Sequence, residues 1–188
     1  MNVINCEIEG LKIIEPRIFH DSRGYFFESF SQRDFEQNVA KTVFVQDNES
    51  KSSIGVARGL HFQKPPFAQA KLVRCVKGEV LDIALDIRKG SDTYGRFVTV
   101  LLSEDKHNQF FIPRGFAHGF VVLSSEAVFQ YKCDNYYAPD HEGGVNILDE
   151  EIGLNLESFG KELKLSEKDL LNPKLKDFIS PFVFDKPI

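Results

Sequence analysis

From about residue 11 to residue 133 the chain runs in short segments rich in Val, Ile, Phe and Tyr, punctuated by Gly, Pro, Asn and Asp at roughly ten-residue intervals. That rhythm predicts strands joined by tight turns, as in a β-sandwich or barrel. LDIALDI (81–87) alternates most regularly: Leu81, Ile83, Leu85 and Ile87 fall on one face and Asp82, Ala84 and Asp86 on the other. The two carboxylates on that second face either line a cavity or anchor turns. KLVRCV (71–76), RFVTVLL (96–102), AHGFVVL (117–123) and AVFQYKC (127–133) also read as strands, with KGE, RKGSD and IPRGF as turns. Helix signals are few. SQRDFEQNV (31–39) opens on a Ser cap, and LSEKDLLN (165–172) places Ser166 three residues before Asp169, so two short helices are expected. Beyond about residue 145 the periodicity weakens, and this tail, ending in PFVFDKPI, is expected to pack on the barrel or on a partner.

The chain has 188 residues, 42% of them hydrophobic and 27% charged. Surface scaling gives about 9,000 Å² folded against about 31,000 Å² unfolded, enough burial for one core. A disordered, collagenous or repeat chain is excluded. Twenty-three Lys and Arg against 28 Asp and Glu give a net charge of −5, which disfavours bulk binding to nucleic acid or to an anionic bilayer. No stretch approaches the roughly 20 apolar residues that span a membrane, and MNVINCEIEGLKIIEPR lacks a basic start followed by an apolar run, so a cytoplasmic location is expected. Cys6, Cys75 and Cys133 are odd in number, far apart and without a CxxC pair, and read as reduced thiols.

The densest polar chemistry lies in GVARGLHFQKPPFAQAKLVRCVKGE (55–79), where Arg58, His61, Lys71 and Arg74 fall within two adjacent strand-like runs. FIPRGFAHGF (111–120) adds Pro113, Gly115 and His118 in P-x-G-x-x-H spacing, and YKCDNYY (131–137) adds Tyr131, Lys132, Tyr136 and Tyr137. These segments resemble a cupin. Metal-binding cupins carry His-x-His followed by a Glu in the first motif, whereas here it reads His61-Phe62-Gln63 with no acid in the next seven residues. Two imidazoles without a carboxylate make a poor metal trap, so no metal and no cofactor is expected.

The resemblance extends further. DSRGYFFESF (21–30), FVQDNES (44–50), GVARGLHFQKPPFAQAKLVR (55–74), DIRKGSDTYG (86–95), IPRGFAHGF (112–120), YKCDNYYAPDHEGG (131–144) and LSEKD (165–169) resemble, in order, the motif series of the dTDP-4-dehydrorhamnose 3,5-epimerase family, over roughly residues 7 to 175. The resemblance implies a mainly β, cupin-type double-stranded β-helix (jelly roll) with short peripheral helices, one domain over 1–188. It also implies conversion of dTDP-4-keto-6-deoxy-D-glucose to dTDP-4-keto-L-rhamnose on the route to dTDP-L-rhamnose. C-3 and C-5 of that sugar both flank the C-4 ketone, so each proton can leave to form an enolate, and each epimerisation needs a base, an enolate stabiliser and an acid on the opposite face.

Carried over from the family, His61 is the base and Asp169 orients it. Lys71 is the cation near the ketone oxygen, and Tyr131 is the proton donor on the opposite face. Nothing in the spacing joins His61 to Asp169. Arg23, Arg58 and Lys168 match positions near the diphosphate, Glu28, Gln46, Asn48, His118 and Glu142 further substrate-binding positions, and Phe26 and Tyr137 candidates for stacking on thymine. The family exchanges its N-terminal segment between subunits, which implies a homodimer in which Arg23, Phe26 and Glu28 enter the neighbour's site.

The family's tail usually carries tryptophans around I-x-W-x-D, whereas this chain reads NILDEEIGLNL (146–156) and contains no Trp. Ala57 replaces a bulkier residue before Arg58. Taken singly, His61 reads as a barrel histidine, His118 as a structural one, Tyr131 as a core aromatic sharing a face with Phe129, and Asp169 as a helix-start acid. Arg58 and His61, three apart, would face opposite ways on a regular strand unless Gly59 permits a bulge. Arg74 alternates with Lys71 and reads as a structural or solvated charge. Asp82 and Asp86 stand outside the expected site. Two other functions fit the same residues: a single-carbon epimerase of a related 4-keto sugar nucleotide, and a non-catalytic sugar-nucleotide-binding cupin.

Overall fold

The expected strand at 81–87 forms in the interior of a five-stranded sheet, between two neighbours, and both its faces are covered. In the computed structural model, which describes residues 1–155 and 162–184, the strands are β1 (Asn2–Asn5), β2 (Lys12–Glu15), β3 (Phe19–Asp21), β4 (Gly24–Phe26), β5 (Gln46–Ser53), β6 (Ala57–Gln63), β7 (Lys71–Lys77), β8 (Glu79–Asp86), β9 (Arg88–Lys89), β10 (Phe97–Ser103), β11 (Gln109–Ile112), β12 (Phe116–Val122), β13 (Glu126–Cys133), β14 (Glu142–Gly144) and β15 (Phe182–Val183). One sheet runs β1-β2-β11-β7-β13-β5 and the other β10-β8-β12-β6-β14, with antiparallel pairing throughout both. The two face each other as a cupin-type jelly roll.

Alternation along β8 divides its side chains between two cores. Val80 and Ala84 face the other sheet and join Val73, Phe110, Phe120 and Phe129 between the layers. Ile83 and Leu85 face outward with Ile87, and are covered by Val145, Ile147, Ile152 and Phe182 from the tail. The tail therefore packs on the barrel, where each large apolar side chain removed from water stabilises by about 1.5–3 kcal/mol. It also adds β15 in parallel to β9. The part of PFVFDKPI from residue 185 on, and Leu156 of the NILDEEIGLNL stretch, lie outside the described residues.

Both helices form where the caps predict. Helix α1 (Gln32–Asn38) has Ser31 accepting from the Asp34 amide at 3.4 Å, and its Phe35 and Val39 pack on Ile14, Leu72 and Phe111. Helix α2 (Glu167–Leu170) has Ser166 accepting from the Asp169 amide at 3.1 Å. Strand β5, QDNESKSS, has no hydrophobic alternation to reveal it. It forms because it is an edge strand whose eight residues all pair with β13.

Candidate active site

The bulge that Gly59 makes available is present. Opposite β12, His61 pairs with His118 but Arg58 pairs with Phe120, so the register shifts between them. Gly59 has φ +118°, and a Cβ there would lie 2.6 Å from Gly119 Cα and 2.7 Å from the His118 carbonyl oxygen. The shift lets Arg58 and His61 line the same cavity, of about 450 Å³, against the regular-strand expectation. Lys71, Tyr131, His118 and Asp169 line it too. Strands β6 and β12 from one sheet and β7 and β13 from the other thus supply the walls, and α2 supplies one end.

His61 Nε2 is hydrogen-bonded to Asp169 Oδ1, across a separation of 108 residues. Asp169 is only 3% exposed, held by the capped turn of α2. Burial pushes the His61 imidazole below its ordinary value, against the charge and hydrogen bond of Asp169, and the nearby Lys71 and Lys168 push the same way as burial. The ring is therefore neutral at pH 7, the state a base requires. Lys71 Nζ stands 5.9 Å from the centroid of the Tyr131 ring. Burial lowers the Lys71 ammonium from its usual value, while Cys133, Asp82 and Glu142 act to raise it. Burial raises the Tyr131 phenol, which keeps it protonated, and the charge of Arg58 acts in the opposite direction. Tyr131 does share its face with Phe129, ring centroids 6.2 Å apart, so the core-aromatic and cavity-lining readings of this residue are both fulfilled.

The remaining expected residues divide by location. Arg58 donates from Nε and Nη2 to Ser52 Oγ at 3.2 Å each, which aims its guanidinium. Lys168 pairs with Glu142 at the cavity mouth, and the Tyr137 hydroxyl also reaches Glu142. Asn48 lies directly across from Tyr131 and Gln46 across from Cys133. Gln46 donates to Asn48 at 3.0 Å and accepts from the Tyr137 amide at 3.0 Å. Arg23, Phe26 and Glu28 are not brought to this cavity. Arg23 sits at the turn of the β3–β4 hairpin, paired with Asp21 at 2.6 Å, Phe26 is 70% exposed, and Glu28 borders a separate groove. Arg74 points away from Lys71 and donates to Gln130 at 3.0 Å.

Sequence reasoning left out two groups. Ser52 carries no motif, and its role follows from Arg58. Asp82, fully buried, has both carboxylate oxygens at His118 Nε2, 3.0 and 2.9 Å away. The alternation of LDIALDI puts it on one face with Ala84, and the fold turns that face toward the other sheet. Asp86 anchors the turn after β8 through Arg88, Ser91 and Thr93. Gln63, standing where a metal cupin has its second His, is engaged elsewhere: it donates to the Phe67 and Tyr136 carbonyls at 2.7 and 3.1 Å and accepts from the Ala138 amide at 2.8 Å. Among the described residues there is no group of three or more His, Cys, Asp or Glu side chains suited to a metal ion. No described helix is long and apolar enough to cross a membrane.

A jelly roll whose cavity sets a neutral imidazole, an ammonium and a phenol around one space is a cupin equipped for proton transfer at carbon, with cations at its mouth for an anionic substrate. Comparison with known proteins narrows that class. The family described as dTDP-4-dehydrorhamnose 3,5-epimerase matches residues 5–177, and the chain belongs to it. It is 52% identical over 178 residues to the dTDP-4-dehydrorhamnose 3,5-epimerase of Shigella flexneri, covering 94% of this chain and 97% of that protein. Among solved structures it is similar to the epimerase of Legionella pneumophila in complex with dTDP-4-keto-L-rhamnose, with 44% identity, a TM-score of 0.93 and 99% of each chain covered. The Bacillus anthracis enzyme with TDP and PPi bound is similar as well, at 40% identity and TM-score 0.88, covering 92% of this chain and 98% of that one.

Proposed function

We propose that this chain epimerises dTDP-4-keto-6-deoxy-D-glucose at C-3 and C-5, giving dTDP-4-keto-L-rhamnose through enolates, with His61 as base, Asp169 as its orienting partner, Lys71 as enolate stabiliser and Tyr131 as acid. The observation that carries this reading is the His61–Asp169 pair facing Lys71 and Tyr131 across one cavity. Nε2–H donation to Asp169 leaves the lone pair on the other ring nitrogen, and the carboxylate stabilises the imidazolium once a proton is taken. As the C–H bond breaks, negative charge gathers on the C-4 oxygen, where a compact ammonium stabilises it. Arg58, aimed by Ser52, and Lys168 suit the diphosphate. Incubation with dTDP-4-keto-6-deoxyglucose in deuterated water is expected to place deuterium at both C-3 and C-5. Label at one carbon only would identify a single-carbon epimerase, and no label at all would leave a binding protein.

The active unit proposed is a homodimer with composite sites, the exposed hairpin carrying Arg23 and Phe26 reaching the partner's cavity. The cytoplasm is the proposed location, supported by the three free cysteines. Mixing an Arg23→Ala chain with a His61→Ala chain is expected to restore about a quarter of the wild-type sites, because half of the dimers are mixed and each mixed dimer regains one site. No recovery after confirmed subunit exchange would mean that each site is built within one chain.

A further inference from the structure

Four aspartates are buried among the described residues, and three have roles already evident. Asp86 anchors a turn, Asp149 accepts from the Leu175 and Glu151 amides, and Asp169 holds His61. Asp82 differs. It sits in the middle of β8 with no turn beside it, on the face between the sheets, and a carboxylate there is tolerated only if it is paired. Its hydrogen-bond partner is His118 Nε2, and His118 lies directly across from His61 on the neighbouring strand. Two imidazoles thus stand side by side, each held by its own buried carboxylate. Asp82 is also electrostatically coupled to Lys71, which comes from the opposite sheet.

We propose that Asp82 is a positioning residue for two groups of the site at once, anchoring His118 through the carboxylate–imidazole bond and holding Lys71 as an ammonium at the ketone end of the cavity. Lys71 shares its cavity with His61, His118 and Tyr131, and the charges that act on it are Asp82 from β8, Glu142 from β14 and Cys133 from β13. Glu142 is already paired with Lys168, and burial pushes the Cys133 thiol up to about 11, so it is neutral at pH 7. Burial pushes the Asp82 carboxyl up while His118 and Lys71 pull it down, and Asp82 is thereby left as a counter-charge to the Lys71 ammonium. This inference rests on the epimerase reading for Lys71 but not for the His118 contact.

Asp82→Asn keeps an acceptor oxygen for the His118 Nε2–H and removes only the charge, whereas Asp82→Ala removes both. In Asp82→Asn the Lys71 ammonium loses support, its pKa falls further, and activity that needs the ammonium is lost at lower pH. The alkaline limb of kcat/KM is therefore expected to move down by about one pH unit or more. The loss in kcat should be about tenfold to a hundredfold, as for other partners one shell removed from the chemistry, with the Kd for dTDP unchanged. Nitrogen-15 NMR of the imidazoles should show His118 protonated at Nε2 in the wild type and in Asp82→Asn, and the preference lost in Asp82→Ala. An Asp82→Asn enzyme with wild-type kcat and an unmoved alkaline limb would overturn the proposal, as would one that loses dTDP binding and thermal stability together. The NMR measurement needs no turnover, so a wild-type chain without deuterium wash-in would sink the epimerase reading while still allowing the His118 contact to be judged.

Discussion

His61→Ala is expected to abolish deuterium wash-in at C-3 and C-5 together, while dTDP still binds with near wild-type affinity. Both α-protons are assigned to one imidazole, so exchange and inversion should fail as one, by the ~10²–10⁴ typical of a lost general base or more. The dTDP readout separates this from misfolding, because Arg58 and Lys168 lie on the phosphate side of the proposed site. Asp169→Asn extends the test with a sign. Burial already holds the His61 pKa below its ordinary value, and Asp169 is the main group raising it. Removing that charge lowers the pKa further, so the acid limb of kcat/KM should move to lower pH while the plateau rate falls with a weaker base. An acid limb that stays in place would detach Asp169 from His61 in solution, and exchange at either carbon in His61→Ala would assign that carbon's base elsewhere.

The strands were legible wherever a face was apolar, and least so at β5, whose polar sequence is held by its position at a sheet edge. The caps at Ser31 and Ser166 were readable because their chemistry is local. What the linear pattern could not supply was contact between distant segments. His61 and Asp169 meet only because α2 closes one end of the cavity, and the family resemblance rather than any spacing anticipated it. Gly59 marks the opposite case: a glycine between two candidate polar residues signalled the register shift that the pairing with β12 displays. Asp82 was visible on the face it shares with Ala84 but had no named partner, since its connection to His118 runs diagonally between strands in which Asp82 is opposite Phe120. In the tail, which has no Trp, Ile147 and Ile152 pack against the outer face of β8.

Tyr131→Phe is expected to split what His61→Ala removes as a unit. The phenylalanine ring retains the contact with Phe129 and the face presented to Lys71, so folding should change by no more than about 1 kcal/mol for the lost hydroxyl. His61 and Lys71 remain, so the enolate should still form, and a proton taken by His61 can return from the same side after exchange with solvent. The result is deuterium at the reacting carbon with retention of configuration. Inversion needs a proton from the opposite face, and without the phenol it should fall by ~10²–10⁴, most strongly at C-5. Burial strengthens this expectation, because a phenol raised above its ordinary pKa stays protonated throughout the assay range and its replacement leaves no ionised oxygen to account for. Lys71→Ala supplies the contrast: with no positive charge at the C-4 oxygen the enolate itself is lost, and exchange and inversion should drop together. A Tyr131→Phe enzyme that inverts both carbons at the wild-type rate would remove the phenol from the mechanism and leave Tyr131 with the packing role its contact with Phe129 already describes.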